Sequence, residues 1–349
     1  MGNSVDGDRQ GGKPDIDVAR MYVKAGEGSL EQKNYKNAIT FLTKGLAMQK
    51  KLCQRNDLSL VNTCTKLGVA YQGLGDLPQA LEFYKKALRK AERKQHHEKI
   101  SGLYGAIGYI YEKQNKLDKA KEKYNQGLQE ARGNLGPQSL VIGNISYQAG
   151  MLYIKLEDYK KAMKYLQEAL YVLVKYYGEG HTTVGDCYNL MGLANFKQGK
   201  VKIALEYYRR AEKIREEKLA SDDLELATLY CNIGLALDAL GEYKEALKYL
   251  NKSFGIEIKH FAVDHGRIQS SIKYIGMVSK MIEKTSVERE EIFDELAELE
   301  KLERADLEME KQGSYSTIQD SIYDGRSKSH VEGEFNFDEF IESATMIKT

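Results

Sequence analysis

The stretch "LGVAYQGLGDLPQALEFYKKAL", residues 67–88, predicts two helices joined by a turn at "GLGD" (73–76). Gly68 lies inside the first helix, although Gly costs about 1 kcal/mol against Ala in a helix interior. Close packing explains its presence, because two helices of a hairpin approach each other only where small side chains meet. We therefore expect Gly68 to contact the second helix at Ala80, with Tyr84 filling the space beside them.

This glycine recurs along the chain at spacings of 42, 40, 42, 42, 42 and 42 residues, each time after an apolar residue. The structural repeat glycines are Gly26, Gly68, Gly108, Gly150, Gly192, Gly234 and Gly276. An alanine follows twelve residues after each of the first six: Ala38, Ala80, Ala120, Ala162, Ala204 and Ala246. A hairpin of this kind cannot bury its apolar face alone, so the pattern predicts stacked helical repeats.

The residues of one repeat identify a family resemblance. The Leu-Gly, Tyr, Ala, Tyr, Ala pattern at positions 67, 68, 71, 80, 84 and 87 resembles the tetratricopeptide repeat (TPR). The 42-residue period, and the segment 176–199 in particular, resemble the arrays of kinesin light chains and nephrocystin-like proteins. Fewer than twenty residues precede the first repeat, whereas kinesin light chains carry a long coiled coil there. We therefore expect a protein other than a kinesin light chain.

The resemblance implies an all-α fold, a right-handed superhelical solenoid of about seven helix-turn-helix repeats. We expect a disordered N-terminal segment at 1–18 and the TPR solenoid at 19–282. An acidic helix at 283–311 has one apolar stripe, which either caps the solenoid or pairs in a short coiled coil. The acidic tail, 312–349, is expected to be mostly disordered, with a short Phe-rich segment. The predicted repeats start near residues 19, 61, 101, 143, 185, 227 and 269.

The same resemblance implies a concave groove lined by the first helix of each repeat. Apolar and aromatic residues flanked by Asn and Lys are typical of a peptide-binding groove. The alternative is that several of these side chains pack against neighbouring helices. The groove residues predicted in this way are Asn62, Lys66, Tyr109, Asn144, Tyr147, Met151, Asn189, Leu193, Phe196, Asn232 and Leu235.

The charge of the chain is divided unevenly. The net charge is +1, but from residue 285 onward there are 18 Asp+Glu and 7 Lys+Arg. The rest of the chain therefore has 33 acids and 45 bases. Either the acidic tail 312–349 contacts a basic groove within the same chain, or the two surfaces are solvated separately.

The predicted function is that of a non-enzymatic scaffold or adaptor, which binds short linear motifs of partner proteins in the groove. The alternative is a peptide-sensing regulator whose superhelix changes shape on ligand binding, with autoinhibition by the acidic tail. The sequence has no HExxH, GxSxG or phosphate-cradling GxxxxGK motif and no paired Cys/His cluster, so we expect no enzyme, cofactor or metal. Bases alternate with acids rather than forming a tract, which argues against nucleic acid.

Location is predicted from what the chain lacks. No apolar run is long enough for a transmembrane span, and the N-terminus lacks the apolar core of a signal peptide. The four cysteines form no CxxC pair, which is typical of a reduced, cytoplasmic protein. The start "MGNS" resembles an N-myristoylation signal on Gly2, but Asp6 stands where that signal has Ser or Thr.

Overall fold

The computed structural model of the chain describes residues 16–52 and 57–286, in which the regular structure is entirely helical. The first twelve helices of the described residues are α1 Ile16–Glu31, α2 Tyr35–Leu52, α3 Leu58–Gly73, α4 Leu77–Glu92, α5 His97–Lys113, α6 Leu117–Asn134, α7 Leu140–Lys155, α8 Tyr159–Tyr177, α9 Thr182–Lys197, α10 Val201–Lys218, α11 Leu224–Ala239 and α12 Tyr243–His260. A further helix, α13, covers 266–286. The predicted all-α repeat fold is confirmed.

The chain divides into two compact units. Unit 1 is Met1–Gly199 and contains α1 to α9, while unit 2 is Lys200–Thr349 and contains α10 to α13. Much of what was predicted for the ends lies outside the described residues. This holds for residues 1–15 of the N-terminal segment, for the acidic helix from residue 287 onward, and for the whole tail.

In unit 1 the helices pack as consecutive hairpins. The pairs α1–α2, α3–α4, α5–α6 and α7–α8 are in contact along their lengths. Each second helix also packs against the first helix of the next hairpin, as α4 does against α5. The first helices α5 and α7 contact each other directly, as do α7 and α9. The first helices of unit 1 therefore lie side by side in one layer, and the second helices lie in the other.

The repeat glycines lie under a large side chain of the second helix. A Cβ added to Gly68 would fall less than 3.0 Å from the ring of Tyr84, and one on Gly108 would lie 2.7 Å from the ring of Tyr124. The same holds for Gly150 against Leu166, at 2.7 Å. The repeat alanines, which precede these large residues by four positions, are fully buried. The contact that Ala162 makes with the Cβ position of Gly150 is through its backbone oxygen, at 3.6 Å. The large residue sixteen positions on is therefore the closest neighbour of the glycine.

Two repeat glycines differ in what surrounds them. In unit 2, a Cβ on Gly234 would lie 2.8 Å from Leu250, as in the repeats of unit 1. Gly276 is exposed, and no described atom lies within 4 Å of that position. The residue sixteen positions further on, Ile292, is outside the described residues. The packing role of Gly276 stays a prediction.

The turn inside each hairpin needs a left-handed backbone at one position, seven residues after the repeat glycine. Glycine meets this requirement at Gly75 (φ +85°), Gly199 (φ +73°) and Gly241 (φ +77°). Other residues occupy it at Lys33 (φ +55°) and Asn115 (φ +56°), and also at Glu157 (φ +58°). A left-handed conformation costs most residues with a Cβ about 1 kcal/mol or more, so the turns at Lys33 and Glu157 are strained, whereas Asn adopts this conformation more readily.

Unit 2 contains a buried ion pair that joins α12 and α13. The Nε of Arg267 donates to Oε1 of Glu257 at 2.6 Å, and both side chains are buried. Ser271 donates to the other oxygen of Glu257 at 2.7 Å, and Arg267 also reaches Thr228 on α11 at 3.3 Å. The Nη1 of Arg267 has no hydrogen-bond partner among the described atoms. Three helices therefore meet around one buried carboxylate.

Candidate functional site

The predicted groove residues all lie on first helices, but the two units divide them. Nine are in unit 1, on α3, α5, α7 and α9, and two are in unit 2, on α11. Of the nine, Asn144 is exposed and seven are half-buried: Asn62, Lys66, Tyr109, Tyr147, Met151, Asn189 and Phe196. The side chains of these eight residues are therefore at least partly exposed.

Three of the predicted groove residues are buried, and the prediction is wrong for them. Leu193 is 5% exposed, Asn232 is 4% exposed and Leu235 is 2% exposed. Leu193 lies on α9, which packs against both α7 and α8. Asn232 and Leu235 lie on α11, where every residue from 229 to 237 is buried. A helix that is apolar on all sides is typically buried on all sides, so α11 offers no groove face.

A cleft lies between α5 and α7 in unit 1. Its volume is about 280 Å³, and its walls include two of the predicted residues, Tyr109 and Asn144. Gln72 of α3 and Gln148 of α7 complete its polar lining. A cleft of this size is close to the lower end of small-ligand pockets, which fits one or two side chains of a peptide.

The cleft exists because α5 has small residues where the neighbouring first helices have larger ones. Gly102, Gly105 and Ala106 line it, and a Cβ added to Gly102 would meet nothing within 4 Å. The sequence shows these small residues, but their significance emerges only when α5 and α7 are side by side. Sequence reasoning therefore missed these three, as well as Val141 and Ile145 of α7.

The polar groups beside the cleft are held by tyrosines of the second helices. The hydroxyl of Tyr84 donates to Oε1 of Gln72 at 2.9 Å, which fixes the amide of Gln72. The hydroxyl of Tyr124 donates to Oε2 of Glu112 at 3.0 Å in the same way, one repeat further on. The tyrosine that packs on the repeat glycine thus also orients a polar side chain of the first helix.

A charged group lies next to the cleft at the end of α5. Burial raises the pKa of the Glu112 carboxyl, while the hydrogen bond from Tyr124 and the charges of Lys155 and Lys113 act in the opposite direction. Burial also lowers the pKa of the Lys113 ammonium group, whose Nζ lies 5.4 Å from the centre of the Tyr109 ring. Both shifts have the same cause, because these charges lie in a partly desolvated environment.

The remaining predicted residues are not brought into the cleft. Lys66 forms an ion pair with Glu27 of α1, so its charge is already matched within the chain. Asn62, Tyr147, Met151, Asn189 and Phe196 lie on the same layer of first helices but do not line the cavity. The structure therefore assembles Tyr109 and Asn144 and leaves the others on neighbouring surfaces.

The positive charge of unit 1 lies mainly on its second helices. The first helices α1, α3, α5, α7 and α9 carry 7 Lys+Arg and 6 Asp+Glu. The second helices α2, α4, α6 and α8 carry 16 Lys+Arg and 6 Asp+Glu. The first helices of unit 1 are therefore nearly neutral in total. Contact of the tail with a basic groove, one of the two alternatives drawn from the charge, stays a prediction because the tail lies outside the described residues.

Hairpins that pack through a repeat glycine, and a cleft on the layer of first helices, define a helical-repeat protein of the tetratricopeptide class. Residues 52–252 match the family described as the MalT-like TPR region, which is 201 of the 349 residues. The chain belongs to this family. Repeat folds of this type are typically non-catalytic scaffolds.

Known proteins share parts of the sequence and the fold. Neutrophil cytosol factor 2 of Bos taurus is 31% identical over 115 residues, which are 31% of this chain and 21% of that protein. The apo form of RapI has a TM-score of 0.56 at 17% identity, covering 77% of this chain and 98% of RapI. A Rap protein complexed with competence and sporulation factor has a TM-score of 0.53 at 17% identity, covering 75% of this chain and 76% of that one. At these identities the two structures show the fold alone.

Two further observations concern what the described residues contain. None of the described helices is both long enough and apolar enough to span a membrane. Within residues 16–52 and 57–286, no three His, Cys, Asp or Glu side chains are grouped so as to hold a metal ion.

Proposed function

We propose that unit 1 is a non-enzymatic scaffold that binds short, extended segments of partner proteins on its layer of first helices. The cleft between α5 and α7 accepts one side chain of the bound segment. Asn144 and Gln148 hydrogen-bond to the backbone of the segment, and Tyr109 packs against the inserted side chain. The observation that carries the proposal is a cleft of about 280 Å³ with both polar and aromatic walls.

The geometry supports a peptide rather than a folded domain. The cleft is too small for a helix, which is about 10 Å across with its side chains. Amide side chains both donate and accept hydrogen bonds, which suits an extended backbone that exposes both kinds of group. An anchor residue in a pocket, flanked by polar contacts, is the usual arrangement of such sites.

The comparisons add indirect support. A Rap protein of similar fold is known in complex with competence and sporulation factor. This ligand belongs to the Rap protein and is not assigned to the present chain. The chain spans about a fifth of the length of neutrophil cytosol factor 2, so the activity of that whole protein is not transferred. We also propose a cytoplasmic location for the protein. The described cysteines Cys64, Cys187 and Cys231 are buried and form no disulfide, as is usual in a reducing compartment.

Peptide selection on the full-length chain tests this function. Peptides of about 12 residues, long enough to cross adjacent repeats, are selected from a random library, and their affinities are measured by fluorescence polarisation. Gly102→Leu places an apolar side chain in the cleft at a position where an added Cβ meets nothing within 4 Å. We expect at least a tenfold loss of affinity, which corresponds to about 1.4 kcal/mol.

The matched control is Gly133→Leu on α6, another helical glycine with nothing within 4 Å. It should bind the selected peptides as the natural chain does. Equal binding by both variants would place the peptides elsewhere, and the cleft would have no part in recognition. Failure to select any peptide would count against the scaffold function as a whole.

The alternative is a regulator that changes shape when a peptide binds, and the Rap complex is the observation that favours it. Autoinhibition by the tail 312–349 loses its electrostatic support, since the first helices of unit 1 are nearly neutral. Small-angle scattering with and without a selected peptide separates the two functions. A scaffold keeps its radius of gyration, whereas a regulator changes it.

A further inference from the structure

The second helices of unit 1 form a basic outer layer, and two of them provide most of its net charge. Helix α2 has four lysines and no acidic residue, and α8 has four lysines and one acidic residue, Glu168. The eight lysines are all exposed: Lys36, Lys44, Lys50, Lys51, Lys160, Lys161, Lys164 and Lys175. By contrast, α4 and α6 together have eight basic and five acidic residues.

Acidic residues of these second helices are already paired with other side chains. Glu168 accepts two hydrogen bonds from Nη2 of Arg132, at 2.9 and 2.7 Å, and one from Ser146 at 2.6 Å. On α4 and α6, Glu82 pairs with Lys86, and Asp118 pairs with Lys121 at 2.9 Å. Of the eight lysines on α2 and α8, Lys161 pairs with Asp158 at 2.7 Å. Most of the uncompensated charge of the second helices therefore lies on α2 and α8.

On α8 the lysines share one exposed face with aromatic side chains. Positions 160, 164, 167, 171 and 175 follow steps of three and four residues, so they lie on one side of the helix, and all five are exposed. Tyr171 is 52% exposed within this stripe, and Tyr176 at the helix end is 62% exposed. Two large aromatic side chains are therefore exposed among the lysines of α8.

We propose that this outer face, defined by the eight lysines of α2 and α8 with Tyr171 and Tyr176, docks on an anionic lipid surface. The lysines are divided between two separate helices, with α4 and α6 between them in chain order, so they do not form one continuous track for a nucleic-acid strand. Lysine provides point charges for such a surface, and nucleic-acid recognition favours the planar, bidentate Arg. Exposed tyrosines are typical of the membrane–water interface, where the ring is buried and the hydroxyl stays hydrated.

This surface is independent of the peptide cleft. The cleft lies on the layer of first helices, whereas the docking face lies on the second helices. A chain bound to lipid through α2 and α8 would therefore keep its cleft accessible to a partner. Either proposal can fail without the other.

Co-sedimentation of the full-length chain with lipid vesicles tests the docking face. One vesicle type is phosphatidylcholine alone, and the other contains about 30% phosphatidylserine, comparable with a strongly anionic leaflet. We expect binding to the anionic vesicles only, and a steep loss of binding between about 0.1 M and 0.5 M NaCl as the charges are screened. Binding to both vesicle types alike would overturn the proposal.

Charge reversal then locates the surface. The variant reverses four exposed lysines of the face: Lys44→Glu, Lys51→Glu, Lys164→Glu and Lys175→Glu. The control makes the same change in total charge on exposed lysines of unit 2: Lys213→Glu, Lys218→Glu, Lys244→Glu and Lys259→Glu. We expect the first variant to lose at least roughly a hundredfold in vesicle affinity and the control to change by less than about threefold, since each lysine near the membrane contributes separately.

Two outcomes would overturn the assignment. Equal loss in both variants would mean that net charge alone, and not this face, attracts the vesicles. If a single-stranded RNA of about 30 nucleotides binds through the same four lysines while the anionic vesicles do not, the face is a nucleic-acid surface. Circular dichroism of both variants checks that the helices are intact.

Discussion

Helix α5 of unit 1 and helix α11 of unit 2 hold the same place in their repeats, but their surroundings differ. Around α5 the small residues Gly102 and Ala106 leave a cleft, with polar groups oriented at its edge. On α11 every residue from 229 to 237 is buried, and the buried pair Arg267–Glu257 lies beside it, with Arg267 reaching Thr228. The residues shared by all repeats determine how the helices pack. The residues that vary between repeats determine whether the surface of a first helix is open to a ligand or buried.

The largest expected effect concerns the buried pair of unit 2. Arg267→Met removes the partner of a carboxylate that is 2% exposed, so unit 2 should lose about 3–5 kcal/mol of stability. Hydrogen exchange of the full-length chain should show faster exchange in α11 to α13 and unchanged exchange in α5 to α7. Adding Glu257→Gln should restore much of the loss, because Gln still accepts from Ser271 and carries no charge. Equal loss of protection in both units would contradict a stabilising role of this ion pair that is confined to unit 2.

Two glycines of α5 give the next largest effect, with opposite signs. Gly108→Ala places a Cβ 2.7 Å from Tyr124 and should cost about 1–3 kcal/mol through overpacking. Gly102→Ala meets nothing within 4 Å and should stabilise the helix by about 0.5–1 kcal/mol. Urea unfolding followed by circular dichroism measures both. The same sign for the two variants would contradict the contact that we assign to the repeat glycine.

The turns inside the hairpins should show a smaller effect. Glu157→Gly relieves a left-handed backbone at a residue with a Cβ, and unit 1 should gain about 1 kcal/mol. Gly241→Ala introduces the same strain in unit 2 and should lose a similar amount. Thermal unfolding of the two variants provides the measurement. A loss on Glu157→Gly would show that the Glu157 side chain stabilises the turn by more than the strain.

The smallest effect is a pH dependence at the edge of the cleft. The folded-state pKa of Glu112 is raised by burial, so this group favours folding below its unfolded pKa and loses that contribution as the pH rises through the folded pKa. Glu112→Gln should therefore be more stable than the natural chain at pH 7, with the difference vanishing below about pH 4. Urea unfolding at several pH values tests this, with the exposed Glu206→Gln as control. A difference that grows in acid would contradict it.

Sequence reasoning predicted the repeats well and the site only in part. The register of Gly68, Gly108 and Gly150 is visible in one dimension, because each repeat must solve the same packing problem in the same way. The availability of a groove residue is different, since it depends on neighbours from other repeats. Leu193 and Leu235 fit the groove pattern, yet the packing of adjacent helices buries them.

By itself, the sequence determined the helices, their pairing into hairpins and the small residue at each close contact, because these depend on spacing within about forty residues. It also determined that bases outnumber acids before residue 285. Only the tertiary structure decided that the cleft opens between α5 and α7, and that the second helices of unit 1, which carry most of its basic residues, form a layer apart from the first helices. A cavity and a charged face are formed by residues from different repeats, and their positions depend on how whole helices pack against one another.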